Sequence, residues 1–209
     1  MVHYNWNLEQ RSPEWKASRV GNVGGSEAIG LTTPARMKTL VLTKATEILT
    51  GEIEEIYVND AMQRGIDNEE RVVLDYELSK GVPVRECGQV LNTDYPCAAL
   101  SPDGLLIDEN NNVYGAVEIK CPSSKTHIQT VLEGAYAKKN EAQLIHYFMM
   151  IPTLEYVDFI SWDDRVPHME TYTYRVKRED VEKLIEKAIV NHSKFVKQLD
   201  KALDRFGLV

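Results

Sequence analysis

Ser101-Pro102-Asp103-Gly104-Leu105 is followed eight residues later by Val113-Tyr114-Gly115-Ala116-Val117-Glu118-Ile119-Lys120. Pro-Asp-Gly is a tight-turn signal, and the second stretch alternates as a strand does. Successive strand side chains point to opposite faces, so Val113, Gly115, Val117 and Ile119 face one way and Tyr114, Ala116, Glu118 and Lys120 the other. Glu118 and Lys120 then project from one face near the strand's end, about 6–7 Å apart along it. Hairpin pairing would carry Asp103 beside them. Two carboxylates with water and a phosphate oxygen suit Mg²⁺, a hard cation that prefers oxygen ligands. A lysine beside such an ion can position and help deprotonate an attacking water, or offset transition-state charge. The same pattern also describes a polar strand edge closed by a salt bridge.

Working outward, Ser12-Pro13-Glu14-Trp15 is a helix start with Ser as N-cap and Pro at the first helical position. Gly24-Gly25-Ser26-Glu27 breaks the chain and offers a second cap. Met37, Leu40, Val41, Ala45, Ile48 and Leu49 keep helical spacing from Pro34 to Leu49, stopped by Gly51. Another helix runs from about Val58 to Lys80 and stops at Gly81. Short strands are expected at Pro83–Leu91, Cys97–Leu100, Leu105–Asp108 and Val113–Lys120. Helices at Ile128–Tyr136 and Asn140–Met150, strands at Tyr156–Trp162 and Met169–Val176, and an amphipathic helix at Glu179–Arg205 complete the chain. This order predicts an α/β fold, a central mixed β-sheet flanked by helices, rather than a regular βαβ repeat. The 209 residues carry no internal repeat or linker-like stretch, which fits a single domain over 1–209.

Two helical residues join the carboxylates as candidates. Glu69 lies among Met62, Gly65, Ile66, Val73 and Tyr76 at offsets of three, four or seven, the charged member of an apolar stripe. A carboxylate there calls for a cation or a strong donor; pairing with an arginine or lysine at the stripe's edge would serve equally. Its neighbour Glu70 points off the stripe. Gln143 stands on the face adjoining the Ala142, Ile145 and Met149 stripe, with His146, Tyr147 and Met150. There it is either a helix-surface amide or a group that orients water or the lysine. The five histidines show no metal-ligand spacing.

Composition narrows the class. Hydrophobic residues make up 43% and charged residues 27%, the balance of a globular chain. The net charge of −8 argues against coating nucleic acid or an anionic membrane by bulk charge. That charge is concentrated: Glu47 to Glu77 holds ten acidic and two basic residues, and the remainder balances. Arg175 to Arg205 holds nine basic residues against six acidic, enough for a local basic surface. Cys87, Cys97 and Cys121 are odd in number and lack Cys-x-x-Cys spacing, as expected of reduced cytosolic thiols. No secretory signal is expected at the N-terminus, and Leu144 to Ile151 falls short of the ~20 residues of a membrane span.

Five blocks occur in order: Glu-Trp-Lys-Ala-Ser-Arg-Val-Gly…Gly-Ser-Glu-Ala (14–28), Arg-Gly-Ile-Asp-Asn-Glu (64–69), Ser-Pro-Asp-Gly-Leu (101–105), Glu-Ile-Lys-Cys-Pro (118–122) and Ala-Gln…Tyr-Phe-Met (142–149). Together they resemble the phage lambda exonuclease (YqaJ-like viral recombinase) family of the PD-(D/E)xK nuclease superfamily, over about residues 13–152. The resemblance implies a PD-(D/E)xK nuclease-like fold. It implies that Asp103, Glu118, the backbone carbonyl of Ile119 and Glu69 hold one or two Mg²⁺ ions, with Mn²⁺ as a substitute. Lys120 would activate or position the nucleophilic water, with Gln143 assisting. Arg19, Ser26 and Ser101 match family positions that hold a terminal 5′-phosphate, a role suited to a guanidinium fork and two hydroxyls. Read without the family, Ser26 is a helix cap and Arg19 a surface cation.

Asp94 stands nine residues before Asp103, one short of the family's spacing, and its equivalence is left open. Arg64 replaces an aromatic residue of the phage enzyme, implying a difference in how a duplex end is handled. The resemblance further implies a metal-dependent 5′-to-3′ exonuclease on double-stranded DNA ends that leaves 3′ single strands for recombination by annealing. It also implies a homotrimeric ring, a single-strand annealing protein as partner, no membrane contact, and a phage or prophage protein in the bacterial cytoplasm. An endonuclease of the same superfamily and a catalytically inactive end-binding module are the rival readings.

Overall fold

The computed structural model of the protein describes residues 1–53 and 60–208. Val58 and Asn59, read as the start of the third helix, lie outside the described residues, as does the Met62 side chain. The order is β1 (Val2–Asn5), α1 (Pro13–Arg19), a 3₁₀ helix (Gly25–Leu31), α2 (Pro34–Thr50), α3 (Asp60–Lys80), β2 (Gln89–Asn92), β3 (Ala99–Leu100), β4 (Gly104–Ile107) and β5 (Val113–Lys120). It continues with α4 (Ser124–Glu133), a 3₁₀ turn (Lys138–Asn140), α5 (Glu141–Met150), β6 (Tyr156–Trp162), β7 (Thr171–Lys177) and α6 (Arg178–Asp204).

Local chemistry sets these limits. Ser12 accepts the Trp15 amide at 3.1 Å ahead of Pro13, and Thr33 accepts the Arg36 amide at 3.4 Å ahead of Pro34. Helix α2 ends at Gly51 with φ 76°, a left-handed conformation that favours glycine. Ser26 does not cap: Gly24 occupies the N-cap, its amide bound by the Glu27 carboxylate at 2.9 Å.

Two sheets form among the described residues. Strands β4, β5, β6 and β7 make the mixed sheet, antiparallel at its two outer pairs and parallel between β5 and β6. Helices α4 and α5 supply the crossover that the parallel pair requires. Strands β1, β2 and β3 form a second, antiparallel sheet. Strand β1 was not foreseen, and the strand expected over 83–91 shortens to Gln89–Asn92, with Arg85 bridging to Leu105.

Helices cover both faces of the mixed sheet. On one face Leu106, Val117, Ile119, Ile160 and Trp162 pack against Val72 and Tyr76 of α3. On the other, Leu105, Ala116 and Phe159 meet Leu144, Tyr147 and Phe148 of α5 and Val181 and Ile185 of α6. Val113, expected to face with Val117, joins this second cluster, where the β4–β5 register shifts between Leu106 and Ile107. A bulge moves a strand residue off its alternating face. A third cluster joins Met37, Leu40 and Val41 of α2 to Phe195, Leu199 and Leu203 of α6.

Two polar anchors fix the helices that frame the site. Asp158, buried on β6, accepts the Tyr76 hydroxyl at 2.7 Å and both arms of Arg175 at 2.8 Å, tying α3 to the sheet. Arg178 donates to the carbonyls of Phe148, Ile151 and Leu154, occupying acceptors that the end of α5 leaves open. No helix among the described residues is long and apolar enough to cross a membrane.

Candidate active site

The β4–β5 hairpin pairs Gly104 with Val117, which sets Asp103 beside the end of β5. Its Oδ2 accepts the Ile119 amide at 2.6 Å. Glu118 is fully buried, and its Oε2 accepts the Tyr147 hydroxyl at 2.6 Å. Its Oε1 is in ion-pair contact with Lys120 Nζ. Burial first, then the Glu118 carboxylate, push the Asp103 carboxyl well above the usual range, against the pull of Lys120. Burial would lower the Lys120 pKa, but Glu118 and Asp103 outweigh it and raise it. Cys121 borders the same cleft, where burial lifts its thiol to about 11 and keeps it protonated at neutral pH.

Glu69 faces this pair from α3, but it is not left for a cation alone. Helix α3 buries the Val72 and Tyr76 stripe, which turns Glu69 to the stripe's edge, where Arg11 Nη2 pairs with its Oε2 at 3.0 Å. An arginine at the stripe's edge, one of the partners the sequence allows for Glu69, is in place. Glu70 is exposed, as expected. Among the described residues no three Asp, Glu, His or Cys side chains converge closely enough to hold an ion by themselves. Asp103 and Glu118 with the Ile119 carbonyl remain as oxygen donors, and Glu118 Oε1 has only the Lys120 ammonium beside it. Such a donor set fits Mg²⁺, which keeps several waters and uses one or two carboxylates.

Of the residues matched to a 5′-phosphate, Arg19 and Ser101 meet at Trp15. Trp15 Nε1 donates to Ser101 Oγ at 2.8 Å, and Arg19 stacks over the Trp15 ring with its guanidinium carbon 4.7 Å from the centroid. Arg19 also pairs with Glu27 at 3.2 Å and is only 20% exposed, so it is not a free surface cation. A Cβ at Gly24 would lie 2.8 Å from Arg19 Nη2, so a larger residue there would displace the guanidinium. Ser26, next to Glu27, is exposed. Behind them lies a buried ammonium. Lys44 pairs with Glu27 at 2.8 Å and Glu47 at 2.9 Å, while Glu47 accepts the Gly21 amide at 2.9 Å. Gln143 is half-buried on α5, and its Cγ lies 3.4 Å from the Cβ position of Gly25, so it borders the same turn.

Asp94 and Arg64 each have a partner of their own. Asp94 is 68% exposed and pairs with the N-terminal ammonium of Met1 at 3.5 Å, outside the carboxylate cluster. Arg64 binds Asp163 at 2.8 Å and Asp164 at 2.7 Å, and lies over Trp162, fastening α3 to the turn after β6.

Sequence reading gave no role to Tyr147, Trp15, Arg11 or Lys44. The first two left a signal in helical spacing: Tyr147 stands four residues after Gln143, and Trp15 four before Arg19. Arg11 and Lys44 left none.

Residues 14–152 match the YqaJ-like viral recombinase domain. Two solved structures resemble the whole chain. One is an alkaline exonuclease, LHK-Exo, from Laribacter hongkongensis, at 30% identity and a TM-score of 0.82, covering 94% of this chain and 96% of that one. The other is LHK-Exo in complex with dAMP, at 30% identity and a TM-score of 0.83, covering 93% and 96%. No curated protein matches the chain. With most of the chain inside the domain match and the fold shared over 93% of it, the protein belongs to the YqaJ-like viral recombinase domain family.

Proposed function

We propose that the protein is a Mg²⁺-dependent exonuclease that degrades one strand of duplex DNA from a 5′-phosphorylated end, in the 5′-to-3′ direction. The observation that carries this reading is the end of β5, where Glu118 pairs with Lys120 and the Ile119 amide holds Asp103. Asp103, Glu118 and the Ile119 carbonyl would hold the ion, with Glu69 completing the acidic cluster. Mg²⁺ supplies Lewis acidity at a phosphoryl oxygen and a more acidic bound water. The LHK-Exo relative crystallised with dAMP, a 5′-mononucleotide, is in keeping with such a product.

The chain's own residues divide the work. The Lys120 ammonium holds the attacking water near Glu118 and offsets charge on the phosphorane-like transition state. Tyr147 fixes the Glu118 carboxylate through its hydroxyl. Gln143 positions the water from α5. Arg19, Ser26 and Ser101 receive the terminal 5′-phosphate, with the Trp15 ring holding Arg19 in place. Water's oxygen bonds to phosphorus and gives up a proton to solvent while the bond from phosphorus to the 3′-oxygen breaks, and the departing oxygen takes a proton from solvent to become a 3′-hydroxyl. A 5′-mononucleotide leaves, and the shortened strand carries a new 5′-phosphate for the same pocket.

The surviving 3′ single strand would serve recombination with a single-strand annealing protein in a phage or prophage setting within the bacterial cytoplasm. A homotrimeric ring would keep the duplex threaded. The test compares linear duplexes with and without a 5′-phosphate, reading which strand survives with Mg²⁺ and with chelator. Faster, chelator-sensitive loss of the phosphorylated strand is expected. Cutting of covalently closed circles would instead identify an endonuclease, and retention of all nucleotides an inactive end-binding module.

A further inference from the structure

The segment ahead of α1 is fastened against the metal-site turn by contacts that have no part in the hairpin. Gln10 Nε2 donates to the Pro102 carbonyl at 3.0 Å and the Cys87 carbonyl at 3.3 Å. Gly88 lets the segment approach, since a Cβ there would lie 1.7 Å from the Leu8 oxygen. The next residue, Arg11, has φ 71°, a left-handed conformation that costs a side-chain-bearing residue energy. Its guanidinium reaches across to Glu69 at 3.0 Å.

Arg11 also stands at a junction. One cleft of about 400 Å³ runs along Trp6, Glu70 and Glu86, and another of about 470 Å³ runs along Lys120, Thr126 and Lys139. Arg11, Ile66, Glu69 and Asp103 border both. A strand passing from one cleft to the other crosses this acidic junction, where a cation is needed against its phosphates. The Arg11–Glu69 pair is open to water, with side chains 49% and 27% exposed, so it is weak and exchangeable. A guanidinium fork also matches the two free oxygens of a phosphodiester.

We propose that Arg11 is an exchangeable counter-ion: it neutralises Glu69 in the ion-free protein and, where Glu69 would instead help hold a divalent cation, turns to bind a backbone phosphate of the DNA strand at the junction. This rests on the metal-dependent nuclease reading. Arg11 thus couples loading of the ion to capture of the strand, and its left-handed backbone holds the side chain within reach of both partners.

The experiment compares the full chain with Arg11→Gln and Arg11→Lys. Mn²⁺ affinity is measured by titration calorimetry without DNA, and binding of a 5′-phosphorylated duplex is measured with Ca²⁺ replacing Mg²⁺. Loss of the competing guanidinium should tighten Mn²⁺ binding about two- to fivefold in Arg11→Gln. Duplex binding should weaken, and its dependence on salt should fall by about one counterion. Arg11→Lys, which keeps charge but loses the fork, should bind Mn²⁺ like the unsubstituted protein and DNA less well. A purely structural strap predicts the opposite sign, weaker Mn²⁺ binding together with a lower Tm, and that result would overturn the proposal. Unchanged Mn²⁺ and DNA affinities in Arg11→Gln would overturn it too. An unsubstituted protein that neither binds Mn²⁺ nor digests duplex would overturn the nuclease reading itself, a distinct outcome.

Discussion

Tyr147 donates its hydroxyl to Oε2 of Glu118 at 2.6 Å, while Lys120 pairs with Oε1, so the two oxygens of one buried carboxylate have different partners. Burial and the adjacent Glu118 raise the Tyr147 pKa far above its ordinary value and keep the phenol a donor. A carboxylate held at one oxygen has a fixed plane, and the ammonium beside its other oxygen is fixed with it. Helix α5 therefore fixes the Glu118 carboxylate through Tyr147 and carries Gln143, the residue proposed to position the water, one turn away.

Tyr147→Phe tests that support. The ring still fills its site, but Glu118 Oε2 loses its donor while buried, at a cost of about 1–3 kcal/mol. Groups that orient a metal-binding side chain change affinity or rate by about 10–100-fold when removed. The expected outcome is a folded variant whose digestion rate falls by that order and whose Mg²⁺ requirement rises. A Mg²⁺ titration of the rate, run beside thermal unfolding, checks both; an unchanged half-saturating Mg²⁺ concentration would argue against the orienting role.

Asp103→Ala and Lys120→Gln remove the proposed chemistry more directly. Each should slow nucleotide release by about 10²–10³-fold, the scale of losing one transition-state-stabilising group. Asp103→Ala also frees the Ile119 amide that its Oδ2 accepts. Circular dichroism and the melting temperature separate lost chemistry from a lost fold. A folded Asp103→Ala protein that digests DNA at near the unsubstituted rate sinks the mechanism.

What was legible in the sequence follows the range of the interaction. The β4–β5 hairpin, the Ser12 and Thr33 caps, the stop at Gly51 and the long amphipathic α6 are written in neighbouring residues and could be read there. Asp103 beside Glu118 needed only a turn and the period of two. Long-range pairings left no local trace. Arg11 meets Glu69 across 58 positions, and Tyr147 meets Glu118 across 29. Strand β1 is four residues long and pairs with β2 far along the chain, too short for alternation to announce it. The spacing around Glu69 reads as a charge within an apolar stripe, whereas the structure sets it at the stripe's edge. Which partner it takes depends on how α3 is rolled on the sheet, and the Val72 and Tyr76 burial decides that.

Lys44 is the buried centre of a four-membered charge network with Glu27, Glu47 and Arg19. Lys44→Met should leave two carboxylates short of their cation, costing about 3–5 kcal/mol and lowering Tm on the order of 10 °C. Because Glu27 then draws harder on Arg19, the preference for 5′-phosphorylated over 5′-hydroxyl ends should shrink toward unity. The ratio of rates on the two ends, measured well below the variant's Tm, reads this apart from stability. A preserved ratio would confine the network to a structural role.

Acid should destabilise the protein in a window set by His146. This side chain is almost fully buried, and its Nε2 donates to the Ala99 carbonyl at 3.0 Å. Burial depresses its pKa from 6.5 to about 4, with His192 adding to the shift and Glu27 and the Ala99 carbonyl opposing it. The folded state then binds fewer protons than the unfolded chain between those values. Its contribution is present above pH 6.5 and is lost as pH falls toward 4, by up to about 3 kcal/mol. His192, also held down by burial, acts in the same direction. Glu27 follows lower on the scale: its carboxyl is depressed by Lys44 and Arg19 against burial, so its stabilisation is lost only as pH falls through that depressed value. Urea unfolding between pH 7.5 and 4.5 should show stability falling with acid, with a shallower slope in His146→Gln. Equal slopes in the two proteins would remove His146 from the account.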